Sequence, residues 1–359
     1  MNLSIKAKDA IKTAIAMTIA YGVALAMEWE RPYWAGFAVA FISLGTIERS
    51  LEKGILRMLG TLAAGAVALT LIAIFPQQRW WFMVTLSIYV GICTYMMTGS
   101  KIPYFYQVSA FVCTIICFDG GVNSVNAFQT AIARIEETAM GIIVYVLVAI
   151  FIWPRNDCKD DERISVNKSQ HSQIKILSID PQRLSYSLEV MINTWIAYLI
   201  WIYFNPPGHG TFVAITATMS LVLVRFPSIP ASSQFLPTVL SSIFAGILYI
   251  FIMPHLSGFS QLGMMIFICT FGISYFFYKP AQGLSRVFGL AYFATLTSIT
   301  NQQSFSFSTY ANSFLMIILI VSLLCATDFL LFRHQSDKTL LRLIKLYFPG
   351  GRVNDASAA

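Results

Sequence analysis

A chain of 359 residues that is 57% hydrophobic and only 11% charged does not have water as its main solvent, since a soluble domain carries about a quarter charged residues. Its net charge of +7 comes without a basic stripe interleaved with aromatics on a polar segment, which sets nucleic acid aside. The six cysteines lack the paired spacing of a disulfide framework or zinc site, so they are expected to be reduced packing residues, with no metal and no cofactor.

No basic leader with a short apolar region and a small-residue cleavage site precedes the first apolar segment, so the N-terminus is expected to be retained. At about 20 apolar residues per crossing, candidate spans fall near 11–27, 33–47, 56–75, 81–98, 103–118, 127–152, 186–204, 210–224, 235–253, 260–278, 287–300 and 310–332. The fold class is therefore an all-α polytopic membrane protein of about twelve transmembrane helices. Lys and Arg test the count. With the N-terminus in the cytoplasm, all 24 basic residues except Arg31, Arg79 and Arg134 fall on the inner side, as the positive-inside rule requires, and both termini are cytoplasmic. Trp29, Trp34, Trp80 and Trp81 fall on the outer side as an aromatic belt.

The polar stretch at 155–183 divides the chain into a first six-helix half (1–154), a cytoplasmic linker (155–183), a second six-helix half (184–333) and a cytoplasmic tail (334–359). An even number of crossings per half makes the two halves parallel repeats related by an axis along the membrane normal. A shift of 175 residues weakly supports this, placing Pro207 on Pro32 and Phe212 on Phe37.

Along the first half, "ERPYWAGF" starts a helix at Pro32, where a missing N–H is harmless. In the next span Arg57, Gly60, Thr61, Ala64, Gly65 and Ala68 place small residues at three- and four-residue spacing, a packing motif that lets another helix approach closely. The sixth span holds Arg134, Glu137, Thr138, Gly141 and Tyr145 on one helical face, with Glu136 on another. Arg134 would lie roughly 10 Å below the outer surface, the one basic residue away from both aqueous edges. A planar guanidinium at that depth suits a carboxylate substrate. Two readings stand side by side: a permanent buried Arg134–Glu137 pair that fixes packing, or an anion site in which Glu137 is the resting partner. A misplaced span boundary would instead make Arg134 interfacial.

In the second half Glu189 and Asn193 share a helical face beside the expected crevice between halves, and Asp328 lies at the inner edge. Substrate binding is assigned to Arg134, Glu137, Thr138, Tyr145 and Asn193, and proton coupling to Glu136, Glu137, Glu189 or Asp328.

The segments "RPYWAGFAVAFISLG", "ILRMLGTLAAGA", "ARIEETAMGIIVYVLVAIFIWP", "WIYFNPPGHGTFVAITATMSLV" and "FSTYANSFLMIILIVSLLCATDFLLF" resemble the fusaric acid resistance family, also called the aromatic acid exporter family. The resemblance covers nearly the whole membrane portion. It implies a bacterial inner-membrane efflux protein for aromatic carboxylic acids or similar weakly acidic, hydrophobic compounds. It also implies a periplasmic membrane-fusion adaptor as partner, and a distant kinship to plant organic-anion channels. The short linker and tail depart from long family members, which carry sizeable cytoplasmic domains there. Lipid and a small organic anion complete the expected partners, with room for a homo-oligomer.

The chain has no H-E-x-x-H, G-x-S-x-G or Walker motif, so metalloenzyme, hydrolase or ATPase chemistry lacks its usual groups, and no enzyme is expected. A passive organic-anion channel and a non-transporting scaffold of an envelope assembly remain as rivals to a driven transporter.

Overall fold

The computed structural model describes residues 4–43, 47–119, 124–153, 180–226, 230–278, 282–303 and 305–333. The expected linker at 155–183, but for its last residues, and the expected tail at 334–359 lie outside the described residues.

Twelve α-helices and no strands occur among the described residues, all α as the apolar segments predict. The first six are α1 (Ile5–Ala26), α2 (Tyr33–Ile42), α3 (Ile47–Ile74), α4 (Arg79–Met97), α5 (Pro103–Asp119) and α6 (Ser124–Phe151). The second six are α7 (Pro181–Phe204), α8 (Gly210–Arg225), α9 (Phe235–Ile247), α10 (Phe259–Phe276), α11 (Gly283–Thr297) and α12 (Phe307–Thr327). Two starts show local chemistry at work. The Ser4 hydroxyl accepts from the Ala7 N–H at 3.2 Å before α1, and Asp180 accepts from Gln182 at 3.0 Å before α7, whose first residue is Pro181.

Contacts between distant loops sort the helix ends into two sets. At one end the Asp180 N–H donates to Tyr95 Oη, at the close of α4, at 3.2 Å. There too Asp328, after α12, accepts from the Ala231 N–H before α9 at 3.2 Å. At the other end Arg31 pairs with Asp119, and Asn301 donates to the Leu25 carbonyl at 2.9 Å. The first we call the basic end; the second, where Trp80 and Trp81 are exposed, the tryptophan end.

Helix packing repeats with a six-helix offset. α1 packs on α10 as α7 packs on α4; α2 packs on α11 as α8 packs on α5; α3 and α5 pair as α9 and α11 do. The repeat breaks at α6, which packs extensively on α1 as well as α2 and α3, whereas its counterpart α12 makes little contact with α7.

Among the described residues seven helices, belonging to α1, α3, α4, α7, α9, α10 and α12, are long and apolar enough to cross a membrane. The helices α2, α5, α8 and α11 are shorter, with 10, 17, 16 and 15 residues. α2 was expected to reach residue 47 but stops at Ile42; ten residues rise only about 15 Å, half a bilayer core. Such a length is tolerable because these helices lie inside protein. Every α5 residue from Gln107 to Cys117 is buried, the all-round burial that marks a core helix.

Glycine permits two of the closest approaches. A Cβ at Gly141 of α6 would stand 2.6 Å from the Ala35 carbonyl oxygen of α2, and one at Gly60 of α3 would stand 2.9 Å from the Phe105 carbonyl oxygen of α5. Gly65 is looser, since its added Cβ would meet Ala131 Cβ at an ordinary 3.9 Å. Thr61 is fully buried and returns its hydroxyl to the Arg57 carbonyl at 2.9 Å. Cys93, Cys113, Cys117, Cys269 and Cys325 are free thiols, four of them buried.

Candidate functional site

The inward face of α6 is built by period alone. Arg134, Glu137, Thr138, Gly141 and Tyr145 are all buried, while Glu136 is exposed on the opposite side. Arg134 lies ten residues into α6, about 15 Å from its start. Its side chain is 4% exposed and that of Glu137 3%, with Nη1 3.3 Å from Oε2. The guanidinium carbon lies 4.1 Å from the Trp34 ring centroid, a cation–π contact supplied by α2.

Distance and direction disagree within the pair. The 3.3 Å separation makes an ion pair, yet Nη1 and Nε of Arg134 and Oε2 of Glu137 are all buried without a hydrogen-bond partner, as is Trp34 Nε1. Geometry is the better guide to satisfaction: the charges attract, but their donors and acceptors are misaligned. Buried polar groups left unpaired cost about 1–3 kcal/mol each, more for charged ones. A carboxylate entering beside Trp34 would meet two unused N–H groups of Arg134. The apolar recess lined by Met219, Leu223, Phe288, Tyr292 and Val321 lies in the second half and shares no residue with this site.

Toward the tryptophan end the site is closed by a polar tie. Arg31, before α2, pairs with Asp119, the last residue of α5, and Asp119 Oδ1 accepts from Thr211 Oγ1 of α8 at 3.2 Å. Burial works against the Arg31 charge, but the Asp119 carboxylate, aided by Tyr33, outweighs it and the Arg31 pKa is raised. The tie thus joins the two expected halves through the Asp119 carboxylate, which Arg31 neutralises.

The remaining expected site residues are dispersed. Asn193 is 2% exposed and donates to Ser220 Oγ of α8 at 2.9 Å, leaving its Oδ1 unpartnered. This partner belongs to its own half. Glu189 is half-buried on α7, and Asp328 holds the turn before α9 at the basic end. Of the four acids considered for proton coupling, only Glu137 touches Arg134.

One expectation fails outright. Arg134 is not the single basic residue withdrawn from water, because Arg57 is 2% exposed and Arg286 5% exposed. Both were placed at the inner aqueous edge. Arg286 is drawn in by Thr13 Oγ1 at 2.7 Å and Ser43 Oγ at 3.4 Å, and Arg57 by Tyr104 Oη at 3.0 Å and two phenyl rings. A signal for Arg57 was present: it stands three and four residues before Gly60 and Thr61, on the same packing face. The rule that turned Arg134 inward applies equally to it.

The family profile described as the fusaric acid resistance protein family matches residues 8–173 and 182–346. Among curated proteins, the chain is 30% identical over 139 residues to "Uncharacterized transporter YdhK" of Escherichia coli, covering 37% of this chain and 21% of that one. It is 24% identical over 165 residues to "p-hydroxybenzoic acid efflux pump subunit AaeB" of Enterobacter cloacae, covering 43% and 25%, and 22% identical over 186 residues to the protein of the same name from Yersinia pestis, covering 49% and 28%. The matched part thus spans about a fifth to a quarter of these relatives' own length. No solved structure matches the chain.

Proposed function

The chain belongs to the fusaric acid resistance protein family, and from that premise we propose that it is a transporter exporting aromatic carboxylic acids, or similar weakly acidic hydrophobic compounds, across the bacterial inner membrane. The observation that carries this reading is the buried Arg134, stacked on Trp34 and facing Glu137 with two N–H groups unused. In the resting state Glu137 neutralises the guanidinium. A substrate carboxylate takes two aligned hydrogen bonds where Glu137 makes none, and its ring lies beside Trp34. The p-hydroxybenzoic acid for which the AaeB relatives are named is a compound of this chemistry.

Membrane potential supplies the drive. A monovalent anion leaving a cell held at 100 mV, interior negative, gains about 2.3 kcal/mol, enough for a gradient of about fiftyfold at ~1.4 kcal/mol per tenfold. Proton exchange would act through Glu137, the one acid beside the cation. The AaeB relatives are named as pump subunits, and a periplasmic membrane-fusion adaptor at the tryptophan end is the partner proposed here. The reaction is translocation, with no bond made or broken.

The test is uptake of 4-hydroxybenzoate and a panel of weak acids into inside-out membrane vesicles, with growth inhibition of a strain lacking the protein as the cellular counterpart. Wild-type vesicles should accumulate at least one acid and Arg134→Gln vesicles none. If no acid on the panel distinguishes the strains or the vesicles, the efflux reading is wrong. Accumulation that follows the potential but ignores an imposed proton gradient marks the uniporter, and the reverse marks the exchanger.

A further inference from the structure

Arg57 is buried more deeply than Arg134, and its surroundings differ in kind. Entering from α3, its Nη1 donates to Tyr104 Oη of α5 at 3.0 Å, and its guanidinium carbon lies 5.2 Å from the Phe41 centroid and 5.5 Å from that of Phe111. Arg225, closing α8, lies 5.8 Å from the other partner surface, the Tyr104 ring, and donates to the side-chain carbonyl of Gln107. Gln107 is itself 4% exposed. Two guanidiniums therefore share one tyrosine where α5 of the first six helices meets α8 of the second. Neither makes an ion pair with a carboxylate among the described residues, and Arg57 Nε is buried with no acceptor at all. Arg57 is withdrawn from water and Arg225 is half-buried beside it, two like charges without a counter-ion, held at a cost that an arriving anion would relieve.

The two cationic places are joined. From Phe41 the rings of α2 lead through Phe37 (6.3 Å between centroids, stacked) to Trp34 (5.0 Å), and Trp34 carries Arg134. These three rings are partly exposed, whereas Ala35, Ala38, Val39 and Ile42 on the same short helix are buried. Aromatic faces at stacking distance suit a flat ring better than an inorganic ion.

We infer that Arg57, Tyr104, Gln107 and Arg225 form a second binding station, at the basic end of the bundle, for small aromatic carboxylates, and that the ring ladder of α2 connects it to Arg134. The inference deepens the efflux reading and rests on it for the direction of travel, but the two fail separately.

The test is equilibrium binding of 4-hydroxybenzoate to the purified full chain in lipid nanodiscs, in wild-type and Arg134→Gln backgrounds, with acetate as the non-aromatic competitor. Binding should survive Arg134→Gln, fall at least tenfold when Arg57→Gln or Arg225→Gln is added to that background, and resist acetate. In inside-out vesicles, Arg225→Gln should raise KM about tenfold with kcat little changed, while Phe37→Ala should lower kcat and spare the Kd. Should Arg57→Gln fail to fold, Arg57→Lys and Arg225→Gln decide. Wild-type Kd and KM in both overturn the station while leaving efflux intact, and displacement by acetate as strong as by benzoate reduces it to a general anion site and overturns its aromatic selectivity. Binding without transport in the wild type instead overturns efflux and leaves the station.

Discussion

The two buried guanidiniums at opposite ends of α2 make the informative comparison. Arg134 and Arg57 both stack on aromatic rings and both are nearly inaccessible, yet Arg134 has a carboxylate at 3.3 Å and Arg57 has a tyrosine hydroxyl and a second arginine nearby. An anion reaching Arg134 must displace Glu137, whereas an anion reaching Arg57 displaces no charge. The first arrangement suits exchange, the second capture. The difference arises from neighbours, since each arginine emerges from a long helix on a face of small and buried residues.

The largest effect expected from breaking this contrast is at Arg134. Arg134→Gln strands Glu137 in the interior, and losing one partner of a buried pair costs about 3–5 kcal/mol, so both the melting midpoint and efflux should fall. The double change Arg134→Gln with Glu137→Gln removes the stranded charge and should restore most of the stability, read by thermal melting, but none of the transport. Recovered transport in the double variant would make the pair a packing device. A second, smaller effect sharpens the same contrast: Arg57→Gln strands no acid, so its melting midpoint should move less than that of Arg134→Gln while KM rises about tenfold.

Packing around the two sites separates next. Gly141→Ala forces a Cβ onto the Ala35 carbonyl oxygen of α2, where backbone cannot yield cheaply, and overpacking of this kind costs about 1–3 kcal/mol. Gly65→Ala, with its nearest contact at 3.9 Å, should be tolerated within about 0.5 kcal/mol; differential scanning of the two purified variants checks the pair. The smallest effect belongs to Glu136→Gln. Its side chain points away from the buried α6 face, so efflux at neutral pH should stay within about twofold, the scatter expected of a surface change. A large loss there would move proton coupling to the outer face of α6.

Much of the architecture was legible in the sequence, and the reasons are local. Apolar segments long enough to reach across lipid located the helices, and a period of 3.6 turned Arg134, Glu137, Thr138, Gly141 and Tyr145 to one side and Glu136 to the other. The end of α2 was misjudged because apolar residues continue beyond Ile42, and composition cannot tell a helix wrapped in protein from one bathed in lipid. Asn193 was set beside a crevice between halves on the strength of its face alone. Its hydrogen bond goes to Ser220, a pairing 27 residues away that no periodicity announces.

Sequence by itself determined the solvent, the number of helices and the side of α6 that faces inward, because partition between lipid, water and protein acts on each segment separately. Only the tertiary structure decided which arginines leave water. Arg57 and Arg286 carry the composition of edge residues, and they are buried because helices distant in the chain bring Tyr104, Phe111, Thr13 and Ser43 against them. Whether a cation is sheltered or solvated is a property of the groups that surround it, and those groups are assembled only when the helices pack.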